Sequence, residues 1–283
     1  MNAEPASANP GNLRLLSIPI SHYCEKVRWA LDRLALPYIE ERHLQVFHYA
    51  RSFQLSRGPN VPVLIDGKTC ITDSTAILKY LERYTNDETQ LYPLKHRTEI
   101  EELEELFDET LGIESRRWVY FHAMQSPGMA LRISSQGVPN WQAGIAPLFY
   151  PLLKAFIRRK LDISTGTVEL GMEHARNIIT QIDSLLSDGR AYLLGDHFTA
   201  ADLTFASMMA PFLMPPEYGV RLPRLDEIGV AMRRTVDEMR STRAGQHALH
   251  MYQTERRPAL SRISEINAQD TPQSSLDHVT SVN

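Results

Sequence analysis

Apolar residues fall into two rhythms along the chain. Leu13 to Ile18 is a short apolar run, broken at Pro19. From Val27 the spacing becomes helical, with Val27, Leu31 and Leu34 on one side and Trp29 and Ala30 filling in. The stretch predicts strand, turn, helix. Residues 36–44 read as a second strand, so the chain opens βαβ, with a parallel pair and a right-handed crossover. Residues 45–57 predict a short helix. Val61 to Ile65 is strand-like and runs into Asp66-Gly67, a strong hairpin turn, then a return strand over 69–72. Ile77, Leu78 and Leu81 give the buried side of the next helix, which starts at Asp73 or Ser74.

Beyond residue 84 the pattern is helical throughout. Ile100, Leu103, Phe107 and Leu111 make one stripe in a helix over 97–124, with Glu99, Glu101, Glu102, Glu104 and Glu105 as its solvated face. Residues 126–147 carry Pro127, Gly128, Gly137, Pro139, Gly144 and Pro147, and predict a loop-rich insertion. Another helix covers 169–187. Thr199 and Asp202 have capping-box spacing, with Phe198 and Leu203 placed as a hydrophobic staple. The helix from Ala200 to about Ala210 is nearly all apolar and should be central and buried. A last helix is expected over 225–254.

Composition narrows the classes. The chain has 283 residues, 43% apolar, with 30 basic and 34 acidic side chains for a formal charge of −4. No basic block points to nucleic acid, and no apolar run reaches the roughly 18 residues that span a bilayer, so neither nucleic acid nor membrane is an expected partner. The N-terminus lacks the charged and apolar regions of a secretory signal, and the two cysteines, Cys24 and Cys70, make no disulfide framework. The expected location is the cytoplasm, and no metal site is expected.

Candidate chemistry sits at turns and helix starts. Ser21 lies where the first amides of a helix lack acceptors, an end that stabilises anions such as a thiolate. It is equally an ordinary N-cap. Pro62 heads a strand, either simply starting it or following a cis Val61–Pro62 bond that turns the Val61 backbone toward an extended ligand. Asp73 and Ser74 can cap their helix, or hold the ammonium and carboxylate of an amino-acid group. Arg116, Arg117 and Tyr120 cluster at one-turn spacing, as structural ion pairs or as the lining of a pocket.

SHYCEKVRWAL, NVPVLIDG and DSTAILKYLE, in that order and spacing, resemble the thioredoxin-like N-terminal half of the soluble glutathione transferases over about residues 13–84, with a second likeness near 193–213. The resemblance implies an α/β thioredoxin-like domain followed by an all-α helical-bundle domain. The expected boundaries are a tail over 1–12, the glutathione-binding domain over 13–84, a linker over 85–94, the helical domain over 95–257 with the second-substrate pocket, and a polar, disordered tail over 258–283. It also implies glutathione as co-substrate, a small electrophile as acceptor and a homodimer. Val61 and Pro62 would take the cysteine part of glutathione, Asp73 and Ser74 its γ-glutamyl end, and His48, on a looser match, its glycine carboxylate. Many members place a Tyr at the end of the first strand; here that position is Ser17, so the likeness is to the Ser or Cys type, with Ser21 in the catalytic slot. Ser21-His22-Tyr23-Cys24 lacks the first thiol of a C-x-x-C pair, and Cys24 reads as an inert packed thiol. The expected reaction is conjugation. Dehalogenation, ether cleavage, peroxide reduction and non-catalytic binding are the alternatives.

Overall fold

The computed structural model describes residues 13–256 and 261–263. The N-terminal part runs β1 (Leu13–Ser17), α1 (His22–Arg33), β2 (Tyr38–Arg42), α2 (His48–Ser56), β3 (Val63–Asp66), β4 (Thr69–Thr72) and α3 (Ser74–Leu81). β1 pairs β2 in parallel, β3 lies antiparallel to β1, and β4 closes a hairpin on β3. The fold is thioredoxin-like. Leu13, Leu15 and Leu16 of β1 are fully buried, and so are Val27, Trp29 and Leu31 of α1. The chain reverses at Asp66-Gly67, where Gly67 supplies a φ of 58°. The Val61–Pro62 bond is cis, as the resemblance implies.

The helical part comprises α4 (Arg97–Leu106), α5 (Gly112–Ala123), α6 (Pro127–Ser134), α7 (Asn140–Lys160), α8 (Thr165–Leu185), α9 (Ala200–Leu213), α10 (Val230–Ser241) and α11 (Arg243–Glu255). α9 is the central helix: every residue except Pro211 is buried, which explains its lack of a polar face. Its start is fixed by Asp202, whose carboxylate accepts from the Thr199 amide (3.0 Å), the Thr199 hydroxyl (3.0 Å) and the Leu193 amide (2.8 Å).

Five expectations change. Glu104, expected on the solvated face of its helix, is buried against Lys26. The helix expected over 97–124 contains a π-helical turn at 107–111 between α4 and α5. The loop-rich insertion over 126–147 is instead helical: Pro127 occupies the first turn of α6, Pro139 caps α7, and Gly137 (φ 71°) makes the turn between them. Pro127, Gly137 and Pro139 punctuate helices, as their geometry favours, whereas Gly144 and Pro147 lie inside α7, as does Pro151 beyond them. The last helix is two, broken where the Thr242 hydroxyl accepts from the Gly245 amide at 2.9 Å. Finally, residues 261–263, expected in a disordered tail, form β5, parallel to the outer edge of β2. An open edge offers backbone groups to any short segment, whatever its side chains. The rest of that expected tail, 258–260 and 264–283, lies outside the described residues, as do residues 1–12 and 257.

Candidate active site

The turn between β1 and α1 is clamped from below by buried charge. Arg28 donates to the carbonyls of Ile18 (3.0 Å) and Pro19 (2.9 Å). It is itself held by Glu40 (2.7 Å) and Glu25 (3.1 Å). Glu40 also accepts from Arg42 and from the Ser17 hydroxyl, and these cations hold its carboxyl down at about 2. Ser17, at the position where many transferases carry Tyr, therefore faces this network. From the other end of the chain, Arg256 donates to Glu25 (2.9 Å) and Asp32 (2.7 Å).

From above, the turn is tied to the helical part by the π-helical segment. The Tyr23 hydroxyl donates to the Asp108 carbonyl (2.6 Å), and His22 Nε2 donates to the Gly112 carbonyl (3.0 Å). A π turn shifts the usual ladder and can free carbonyls for such partners. Gly112 is required by the fit: a Cβ there would stand 2.6 Å from the Tyr23 hydroxyl. Lys26, buried between α1, α3 and α4, meets Glu104 (2.9 Å), Asp108 (2.8 Å) and Thr75 (2.8 Å).

Above the turn lies a largely apolar cavity of about 440 Å³ between the two parts. Its wall includes Ser21, His48, Val61, Arg116 and Tyr120. The Ser21 oxygen accepts from the Cys24 amide (3.3 Å), so it caps α1. A hydroxyl that accepts still has its proton to donate. By helix geometry the first amides of α1 face the same way. Arg116 lies beside this end: its guanidinium is 5.6 Å from the Tyr23 ring centre. With burial, its charge lowers His22 to about 3, so that ring is neutral. Cys24 is fully enclosed, and burial raises its thiol, as expected for an inert packed group.

His48 supports the Val61 segment directly. Its Nε2 donates to the Pro59 carbonyl at 3.1 Å, and burial lowers the imidazole to about 4. Val61 precedes β3, outside the paired registers of that strand.

The remaining candidates do not line the cavity. Pro62 is buried behind Val61. Asp73 caps α3, accepting from the Ala76 amide at 2.9 Å in a left-handed conformation (φ 75°), and its charge reaches the Tyr23 phenol. Ser74 is buried as the first residue of α3. Arg117 turns away, to Glu114 and the Leu161 carbonyl, and serves as a structural ion pair. Tyr120, by contrast on the cavity wall, accepts from Gln45 at 2.9 Å. Sequence reasoning missed His22, Tyr23 and Gln45, and also α7, whose Tyr150, Leu153 and Ile157 form the far wall. His22 and Tyr23 directly follow Ser21, and that adjacency was the available signal.

Two family models match: the glutathione S-transferase N-terminal domain over residues 15–89 and the glutathione S-transferase C-terminal domain over residues 165–242, together more than half of the chain. No curated protein matches by sequence. Among solved structures, glutathione transferase GSTFuA3 from Phanerochaete chrysosporium is 17% identical, with 87% of this chain and 98% of that one covered at a TM-score of 0.57. A glutathione S-transferase from Rhodospirillum rubrum F11 is 21% identical (92% and 100% covered, TM-score 0.53). One from Methylobacillus flagellatus KT, solved with glutathione bound, is 14% identical (84% and 98%, TM-score 0.51). At these identities the likeness is one of fold.

Proposed function

Because this chain belongs to the glutathione S-transferase family, we propose that it ionises the thiol of glutathione at the Ser21 turn and joins the sulfur to a small apolar electrophile. The observation that carries the reading is the single cavity in which the start of α1, the Val61 segment, Arg116 and an apolar wall meet. A free thiol with a pKa of about 8.5 is mostly protonated at neutral pH. A hydroxyl proton from Ser21, the helix-end amides and the nearby Arg116 all favour the thiolate. The thiol proton passes to solvent, the sulfur lone pair forms the new carbon–sulfur bond, and the acceptor either expels its leaving group with the bond pair or takes up a proton. Little more than thiolate stabilisation and proximity is asked of the protein.

Val61 would pair with the cysteine part of the tripeptide, Ser74 and Asp73 would hold its γ-glutamyl end, and His48 fixes the loop ahead of Val61. Arg116 and Tyr120 bound the acceptor side; Arg117 has no place in it.

The test is a pH titration of thiolate absorbance in the glutathione complex. Ser21→Ala should raise the thiolate pKa and slow conjugation, with glutathione affinity changed less. Superimposable curves would return Ser21 to the role of a cap. Its bond from the Cys24 amide favours a second reading, a binding module without turnover. Retention on immobilised glutathione with no product from any of a panel of electrophiles would support that.

A further inference from the structure

α7 is apolar on two opposite faces. One covers the cavity, through Tyr150, Leu153 and Ile157, and is anchored by buried Gln142, which donates to His43 (2.7 Å) and accepts from the Leu44 amide (3.0 Å). The other face points away from the protein. Trp141, Leu148 and Leu152 recur there at helical spacing and are 52%, 79% and 70% exposed, with Phe149 and Phe156 flanking them at 45% each. Arg159 falls on the same stripe one helical repeat further on, between exposed Arg158 and Lys160. A surface helix normally turns polar residues outward, and an apolar patch of this kind is a contact face.

Charge says what the face contacts. From Ser115 to Leu161 the sequence holds no Asp or Glu, and every charged side chain is Arg or Lys, in a chain whose formal charge is −4. The face is therefore a basic, apolar island on an acidic protein. It is also convex: Leu148 and Leu152 protrude from a helix and do not line a groove, which suits a deformable partner. We propose that the outer face of α7 lies on an anionic lipid bilayer, with Trp141, Leu148 and Leu152 at the acyl boundary and Arg159 against headgroup phosphates. No helix among the described residues is long and apolar enough to cross a membrane. The span criterion that argues against a membrane partner does not test a helix lying in the surface. The inference stands apart from the proposed chemistry, since it uses only the outward side of α7.

Vesicle flotation of the full chain tests it. The protein should float with phosphatidylcholine vesicles containing phosphatidylglycerol, less with phosphatidylcholine alone, and less as salt rises. Arg159→Gln should weaken partitioning roughly 5-fold. Leu148→Gln with Leu152→Gln should abolish it; both side chains are exposed, so the melting temperature and glutathione binding stay unchanged. Absence of flotation with anionic vesicles at low salt would overturn the proposal. So would light scattering showing a wild-type dimer that the Leu148→Gln, Leu152→Gln variant reduces to single chains, because a second copy would then cover the face.

Discussion

His22 shows how a single enclosed ring ties the site to acidity. It is buried against the Gly112 carbonyl and lowered to about 3, while His48 is lowered to about 4. Both values lie below the ordinary 6.5, so the unfolded chain binds protons in that range that the folded chain does not. The contribution of these two rings is complete above about pH 6.5 and is lost as pH drops, through about 4 for His48 and about 3 for His22. Each group costs up to about 1.4 kcal/mol per pH unit inside its window. Urea midpoints measured between pH 7 and 5 should fall for wild type and flatten in part for His22→Gln, which keeps a donor for Gly112. A second residue-scale expectation concerns recognition: Ser74→Ala should weaken glutathione binding by about 1–3 kcal/mol, and an unchanged calorimetric affinity would remove Ser74 from the site. At this scale the sequence pointed to Ser21, Val61, His48, Arg116 and Tyr120, which do share one cavity wall. It could not separate Arg116 from Arg117, because adjacent helical residues point about 100° apart and only the packing of α5 decides which faces inward.

Among the elements, those with a strong period were legible: β1, α1, β3, β4 and α9 follow directly from their apolar spacing. α6 and α7 were not, because proline and glycine break helices and also start and end them, and composition alone does not tell the two uses apart. The π turn had no signature in the residues, since Phe107 to Leu111 fits an ordinary helix as well. Its role is testable through Gly112. Gly112→Ala puts a methyl against Tyr23 and Met208. It should cost about 1–3 kcal/mol by denaturation, and the loss of the Tyr23–Asp108 bond should show as a changed tyrosine fluorescence. A neutral result would mean that α5 can shift without loosening the Ser21 turn.

For the whole molecule, the two parts are joined by ion pairs that the sequence could not reveal, because their partners lie far apart in the chain. Arg256 reaches Glu25 and Asp32 across more than 220 residues. Removing one partner of such a buried pair typically costs about 3–5 kcal/mol. Glu25 keeps Arg28, so Arg256→Met should fall near the low end of that range in a urea titration. The expected homodimer belongs to this scale too. Light scattering across a dilution series should give twice the mass of the 32.2 kDa chain; a single-chain mass at every concentration would exclude it.

β5 has a consequence for the order of events during synthesis. Tyr38 pairs with Ser261, so β2 leaves the ribosome long before the strand that covers its edge. At about 5–20 residues per second, β2 waits on the order of 10–45 s with that side open. Arg256 arrives equally late, so for the same interval Glu25 and Asp32 lack the cation that reaches them in the finished protein. Until then the side of β2 is an open template for wrong pairing, and β5 together with Arg256 is the latch that closes it.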